Sequence, residues 1–181
     1  LLGGCLQVEE RYEKAIEAAL GERLQYLVIE DYSAATEALG FLQKTKGGRC
    51  GFILRQQATG KPKVDAQGSL GCAAQFVESS ELLRSTVDLI LGQTLVVERL
   101  EQAMALPLRE AAMVVTLAGE VFYPAGIVLG GSTQNDGFLA QQRQIRQLQE
   151  GVLHLEQAEQ HDRAAQQILE QQVSDLVKAL N

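Results

Sequence analysis

Apolar residues recur at helical spacing over Val8–Leu20, where Val8, Tyr12, Ile16, Ala19 and Leu20 share one face and Gly21 ends the run. A short β-type run follows within Leu24–Glu30, at Tyr26-Leu27-Val28-Ile29. Ser33 is placed to cap a helix through Leu42, and Gly47-Gly48 breaks it. Cys50–Leu54 reads as a strand. Ser79 or Ser80 can cap a helix that runs to Leu91 and stops at Gly92. Thr94–Val97 is a strand, Glu98–Leu106 a helix and Met113–Leu117 another strand. Ala118-Gly119-Glu120 is then a turn, and Val121–Tyr123 the returning strand of a hairpin.

The pattern changes in the tail. With Phe138 at heptad position a, Ile145, Val152, Val173 and Leu180 are also a, while Leu148, Leu155, Leu169 and Leu176 are d. That alternation of three and four is a coiled-coil seam, interrupted by Glu159 and Gln166 at a and by Gln141 and Asp162 at d. A continuous helix over 138–181 spans about 65 Å at ~1.5 Å per residue. No second heptad helix of this length exists in the chain, so the seam needs a partner from another copy, another protein or a further part of the native chain. The alternative is a helix folded back on the body. Gly151 interrupts it at a cost of ~1 kcal/mol relative to Ala.

Composition breaks at the same place. All three Pro and every Gly except Gly137 and Gly151 lie before residue 135, whereas the tail is rich in Gln, Leu, Ala and Glu. The expected domains are therefore a body at 1–134 and a coiled-coil stub at 135–181. The body carries a weak internal repeat. Leu20-Gly21 leads to Leu27-Val28-Ile29-Glu30, and Leu91-Gly92 leads to Leu95-Val96-Val97-Glu98, each followed by a helix and a strand. The expected fold is α/β, two similar lobes of small sheets with helices, followed by a long C-terminal coiled-coil helix.

Charge and cysteines narrow the function classes. Of 181 residues 46% are hydrophobic, too many for a disordered chain, and no apolar run reaches the ~18 residues of a membrane span. Leu1–Leu6 carry no basic region, so no signal peptide is expected. Cys5, Cys50 and Cys72 are odd in number and contain no CxxC, which argues against a zinc site or disulfide framework and for a reducing, intracellular compartment. The net charge of −7 argues against a dedicated high-affinity nucleic-acid binder. One stretch departs from that balance. Lys44, Lys46, Arg49, Arg55, Lys61 and Lys63 occur with no acid between them, +6 against −13 for the rest of the chain, and Arg143 and Arg146 extend the set if they lie nearby. This is a solubilising surface or a phosphate-contact patch for DNA. Phe52 is its only aromatic and is expected in the core, so any binding is weak, backbone-directed and salt-sensitive.

Catalytic chemistry finds no foothold. Gly60-Lys61 is followed by Pro62, a turn and not a phosphate-binding loop. His154 and His161 are seven apart at heptad position c, the wrong spacing for a metal pair and remote from any nucleophile. Glu30-Asp31 reads as a solvated strand-to-helix corner. No enzyme activity, metal or cofactor is expected in this chain.

Three segments together resemble the hinge domain of SMC proteins, the chromosome-organising ATPases. They are Tyr12-Glu13-Lys14-Ala15-Ile16-Glu17-Ala18-Ala19-Leu20-Gly21 with the Leu27–Glu30 strand; Gly68–Val77 through Leu91-Gly92 and Val96-Val97; and Val115–Val121 followed by Pro124-Ala125-Gly126-Ile127-Val128-Leu129-Gly130-Gly131-Ser132. Ala118, Leu129 and Cys50-Gly51 depart from the family's usual residues. The resemblance implies a homodimerising hinge whose contact includes Gly126, Val128, Gly130 and Gly131. It also implies ATPase heads elsewhere in a longer chain, and an incoming arm that packs antiparallel on the Phe138–Leu180 seam. Two arms would join into a V or ring that organises chromosomal DNA in the cytoplasm, at the nucleoid. The Ala- and Gln-rich composition with few Lys suggests a bacterial source. The competing class is a stand-alone coiled-coil adaptor whose globular head binds a protein partner. A small-molecule enzyme would need a convergent polar pocket, which the residues do not supply.

Overall fold

The first helix begins two residues later than its periodicity predicts, because Val8 is taken by a strand. In the computed structural model, which describes residues 1–55, 64–106, 113–123, 126–131 and 137–180, the chain opens with a 3-10 turn at Leu2–Cys5. Then come β1 (Leu6–Val8) and α1 (Glu10–Leu20), which Gly21 ends at φ +53°, a value that favours glycine. A 3-10 turn at Gly21–Gln25 leads into β2 (Leu27–Ile29). The next helix, α2 (Tyr32–Thr45), is capped by Asp31 and not by Ser33. The Asp31 carboxylate accepts the Ala34 N–H at 3.0 Å, and the Ser33 hydroxyl is used in donating to it. Lys46 closes α2 in the left-handed region, and β3 (Phe52–Leu54) follows. Then come β4 (Gly71–Cys72), a 3-10 turn at Ala73–Phe76, β5 (Val77–Ser79), α3 (Glu81–Leu91), β6 (Thr94–Val97), α4 (Leu100–Ala105), β7 (Met113–Thr116), β8 (Val121–Tyr123), β9 (Ile127–Leu129) and α5 (Phe138–Leu180).

The repeat is real in three dimensions. Strand–helix–strand–helix–strand runs once through β1-α1-β2-α2-β3 and again through β5-α3-β6-α4-β7. In each copy the last two strands are parallel, Leu27–Ile29 on Phe52–Leu54 and Thr94–Val97 on Met113–Thr116, as a helical crossover requires. The first strands of the two copies pair with each other, antiparallel, with Gln7 opposite Glu78. The lobes are unequal. β2 and β3 form a sheet of two, whereas the second lobe has five strands in the order β4-β6-β7-β8-β9.

The central strands of the larger sheet, β6, β7 and β8, are covered on both faces, which explains their unbroken apolar runs. Val96, Val115 and Val121 face the main core with Ile16, Leu20, Val87 and Leu91 from α1 and α3. Their neighbours Leu95, Val97, Val114 and Phe122 face a second core with Ala103 of α4. That is the two-residue alternation of strands. Arg84 pins α3 beneath this layer by donating to the Val77 and Ala74 carbonyls at 3.0 and 2.9 Å. Two compact units divide the chain, Leu1–Gln142 and Arg143–Asn181.

Candidate association surface and helix junction

β9 is the outermost strand of the five-stranded sheet, and its outward edge carries no partner among the described residues. Ile127, Val128 and Leu129 are 52, 55 and 53% exposed. Successive side chains of a strand point to opposite faces, so three in a row means that both faces as well as the edge are uncovered. Such a strand is a template for pairing unless charge or proline blunts it. Glycines flank it. Gly126 and Gly131 sit at φ +81° and +142° with open space where a side chain would be. A Cβ on Gly130 would make ordinary contact, 3.4 Å, with the Glu120 side chain. The residues read from the sequence as contacts, Gly126, Val128, Gly130 and Gly131, thus lie in one run along one edge. Ile127 and Leu129 belong to the same surface and carried no separate signal.

The first lobe is also incompletely covered. No residue of α2 is buried. Tyr32 and Phe41 stand 70 and 66% exposed, and Leu27 and Leu39 are exposed as well. Parallel strands ordinarily have both faces covered, and a sheet of two strands has little stability alone.

The basic residues are only partly gathered. Lys44 lies in the last turn of α2, Lys46 is its C-cap, and Arg49 follows, all three exposed on the connection to β3. Arg55, just past β3, is committed to an ion pair with Glu30 at 2.9 Å. Phe52 is half-buried. Lys61 and Lys63 lie outside the described residues, and Arg143 and Arg146 belong to the second compact unit. Asp31, at the foot of the same helix, has its carboxyl pulled below the ordinary value by the Ser33 hydroxyl and then by the Ala34 N–H.

A junction unforeseen from the sequence lies where α5 begins. Glu17 of α1 accepts the backbone N–H of Leu139. Burial pushes the Glu17 carboxyl above its ordinary value; the Leu139 N–H draws it back down, and Glu13 nearby pushes it up. Leu139 is 3% exposed in the main core, and Phe138, the first seam residue, packs against that core. Further along, Ile145, Leu148, Val152, Leu155 and Leu169 are exposed along the predicted seam; the side chains of Val173, Leu176 and Leu180 lie outside the described set. His154 and His161 are exposed, and no cluster of three metal-ligating side chains occurs among the described residues.

A family model described as "SMC proteins Flexible Hinge Domain" matches residues 1–106. This chain belongs to the SMC hinge family. Among curated relatives, the chromosome partition protein Smc of Halothermothrix orenii is 34% identical over 164 residues, covering 83% of this chain. The hinge spans 14% of that relative's length. Among solved structures it is similar to the Geobacillus stearothermophilus SMC hinge domain, an asymmetric dimer, with a TM-score of 0.73 at 25% identity, covering 87% of this chain and 67% of that one. It is also similar to the Pyrococcus furiosus Smc hinge domain with an extended coiled coil, with a TM-score of 0.61 at 28% identity, covering 87% and 56%. The mixed α/β lobes match those of these hinge structures.

Proposed function

We propose that this hinge joins two copies of a chromosome partition ATPase, so that two coiled-coil arms meet in a V or ring. The observation that carries the reading is the β9 edge, apolar, unblunted and glycine-flanked, in a chain whose first lobe is a two-stranded sheet left half covered. One copy therefore holds both a free strand and an unfinished sheet. Under a two-fold axis, β9 of each copy extends the β2–β3 sheet of the other, and the contact occurs twice. No reaction is involved in this chain. ATP hydrolysis belongs to other parts of the longer parent, and no cofactor is needed here. An antiparallel arm from that parent covers the exposed α5 seam.

DNA contact is the second part of the reading. Exposed Lys44, Lys46 and Arg49 suit loose phosphate contacts, without sequence preference and at low affinity. Cytoplasmic, nucleoid-associated action follows from that role. Among the described residues no helix is long and apolar enough to cross a membrane.

Light scattering on the full chain and on residues 1–142 separates this reading from a coiled-coil adaptor. The shorter piece ends at Gln142 because Leu139 belongs to the body's core. A dimeric 1–142 supports the hinge. A monomeric 1–142 beside an associating full chain moves the association to α5 and favours the adaptor.

A further inference from the structure

A helix N-terminus leaves its first N–H groups without partners inside the helix. They are usually satisfied by a Ser, Thr, Asp or Asn immediately before it, whose side chain bonds the second or third N–H of the helix. At α5 the position before the helix is Gly137, whose carbonyl accepts the Gln141 N–H at 3.0 Å and which has no side chain to offer. The missing acceptor comes from 122 residues away. Glu17 accepts the Leu139 N–H, on the second residue of the helix. A Cβ at 137 would fall on the Glu17 carboxylate, which would then have to shift away from the Leu139 N–H.

Two further contacts hold the same turn. Leu139 is sunk into the main core beside α1. Phe138 lies against Gly3 of the N-terminal 3-10 turn, where a Cβ would overlap the ring. Glu17 also brings a carboxylate to the positive end of the helix dipole, which favours negative charge. All of these residues lie within the first compact unit, so the turn Phe138–Gln142 is part of the body and not of the coil.

We propose that Glu17 is a positioning residue that fastens the first turn of α5 to the hinge body, with Gly137 and Gly3 kept small to let that fastening close. The long helix is thereby anchored at its start by a residue of α1. The turn's attachment does not depend on dimerisation or on DNA.

Amide hydrogen exchange on the full chain tests it. Glu17→Ala removes the acceptor. Exchange across 138–142 should then quicken by about tenfold, the size of a lost helix cap, while the amides of β6 and β7 hold within about twofold. Glu17→Gln keeps an acceptor oxygen in place and should restore protection to near the native level. Gly137→Ala attacks the same contact from the other side and should reproduce the local loss, which decides the matter if Glu17→Ala does not fold. Unchanged protection at 138–142 in both disruptive variants would overturn the assignment. So would a uniform quickening of all amides, or a failure of Glu17→Gln to rescue.

Discussion

Replacing Val128 with Lys tests the β9 edge at its centre. Val128 pairs with Phe122 through the backbone and keeps 55% of its surface exposed. Fully burying a side chain of this kind contributes about 1.5–3 kcal/mol, so covering the exposed half adds about 1 kcal/mol. Lys removes that gain and sets an ammonium against an apolar partner face. Desolvating an unpaired charge costs several kcal/mol, and a long stem that lets the head reach water brings the penalty down to about 2 kcal/mol. The sum is about 3 kcal/mol at each interface, and two-fold symmetry counts it twice. About 6 kcal/mol is roughly four decades in Kd. Light scattering at low micromolar concentration should therefore find Val128→Lys at the 19.7 kDa of one chain and the parent at twice that mass. Circular dichroism should still show a folded chain, since the side chain is not part of either core within a copy, and the denaturation midpoint should fall only by what the lost dimer contributed. Val128→Leu should remain dimeric. A folded Val128→Lys that is still dimeric at that concentration would refute the argument, because a loss of about four decades in Kd leaves no dimer there.

Two further outcomes are expected. Reversing Lys44, Lys46 and Arg49 to Glu should abolish binding of the hinge to a duplex at low salt. Reversing one of them should lower the steepness of the salt dependence by about one unit for each phosphate that is no longer neutralised. Fluorescence anisotropy across a salt series reads both, and an unaltered slope would move the binding surface elsewhere. The raised Glu17 carboxyl gives a pH signature. The folded state holds this proton more tightly than the unfolded chain, so its stabilising contribution is complete below the ordinary value of 4.5 and is lost as pH rises through the folded value. Urea midpoints of the parent should fall across that window relative to Glu17→Gln, which lacks the titrating group; parallel curves would contradict it.

Much of this hinge is legible in its sequence because its central strands are buried on both faces. Thr94–Val97 and Val121–Tyr123 appear at their predicted bounds, since unbroken apolar runs next to Gly92 and the Ala118-Gly119-Glu120 turn leave little choice. The heptad likewise marks the start of α5 at Phe138. What escapes is non-local. β4 is two residues long and exists because Gly71 and Cys72 meet Val96 and Leu95. β1 and β5 exist because they meet each other. Three residues carry no periodicity, so Val8 merges with the helical pattern of α1. At α2 two nearby polar residues compete for one cap, and Asp31, the stronger acceptor, takes the position from Ser33. The glycines around β9 are conspicuous, but the apolar strand between them has no polar alternation to announce an edge. The Glu17 junction gives no sign beyond a lone Gly before the heptad, because its partner lies in another part of the chain.

That separation bears on the order in which the molecule assembles during synthesis. A contact closed over 122 residues carries a large loop entropy and forms late, after nearer contacts have shortened the effective loop. α1 leaves the ribosome before α5 and waits for it. The pairing of Leu6–Val8 with Val77–Ser79 has to draw the two lobes together first. Only when the second sheet is complete do Leu139 and the Glu17 acceptor have a surface to share. The outgoing helix is thus expected to be tethered last, and an incompletely folded hinge would leave it untethered.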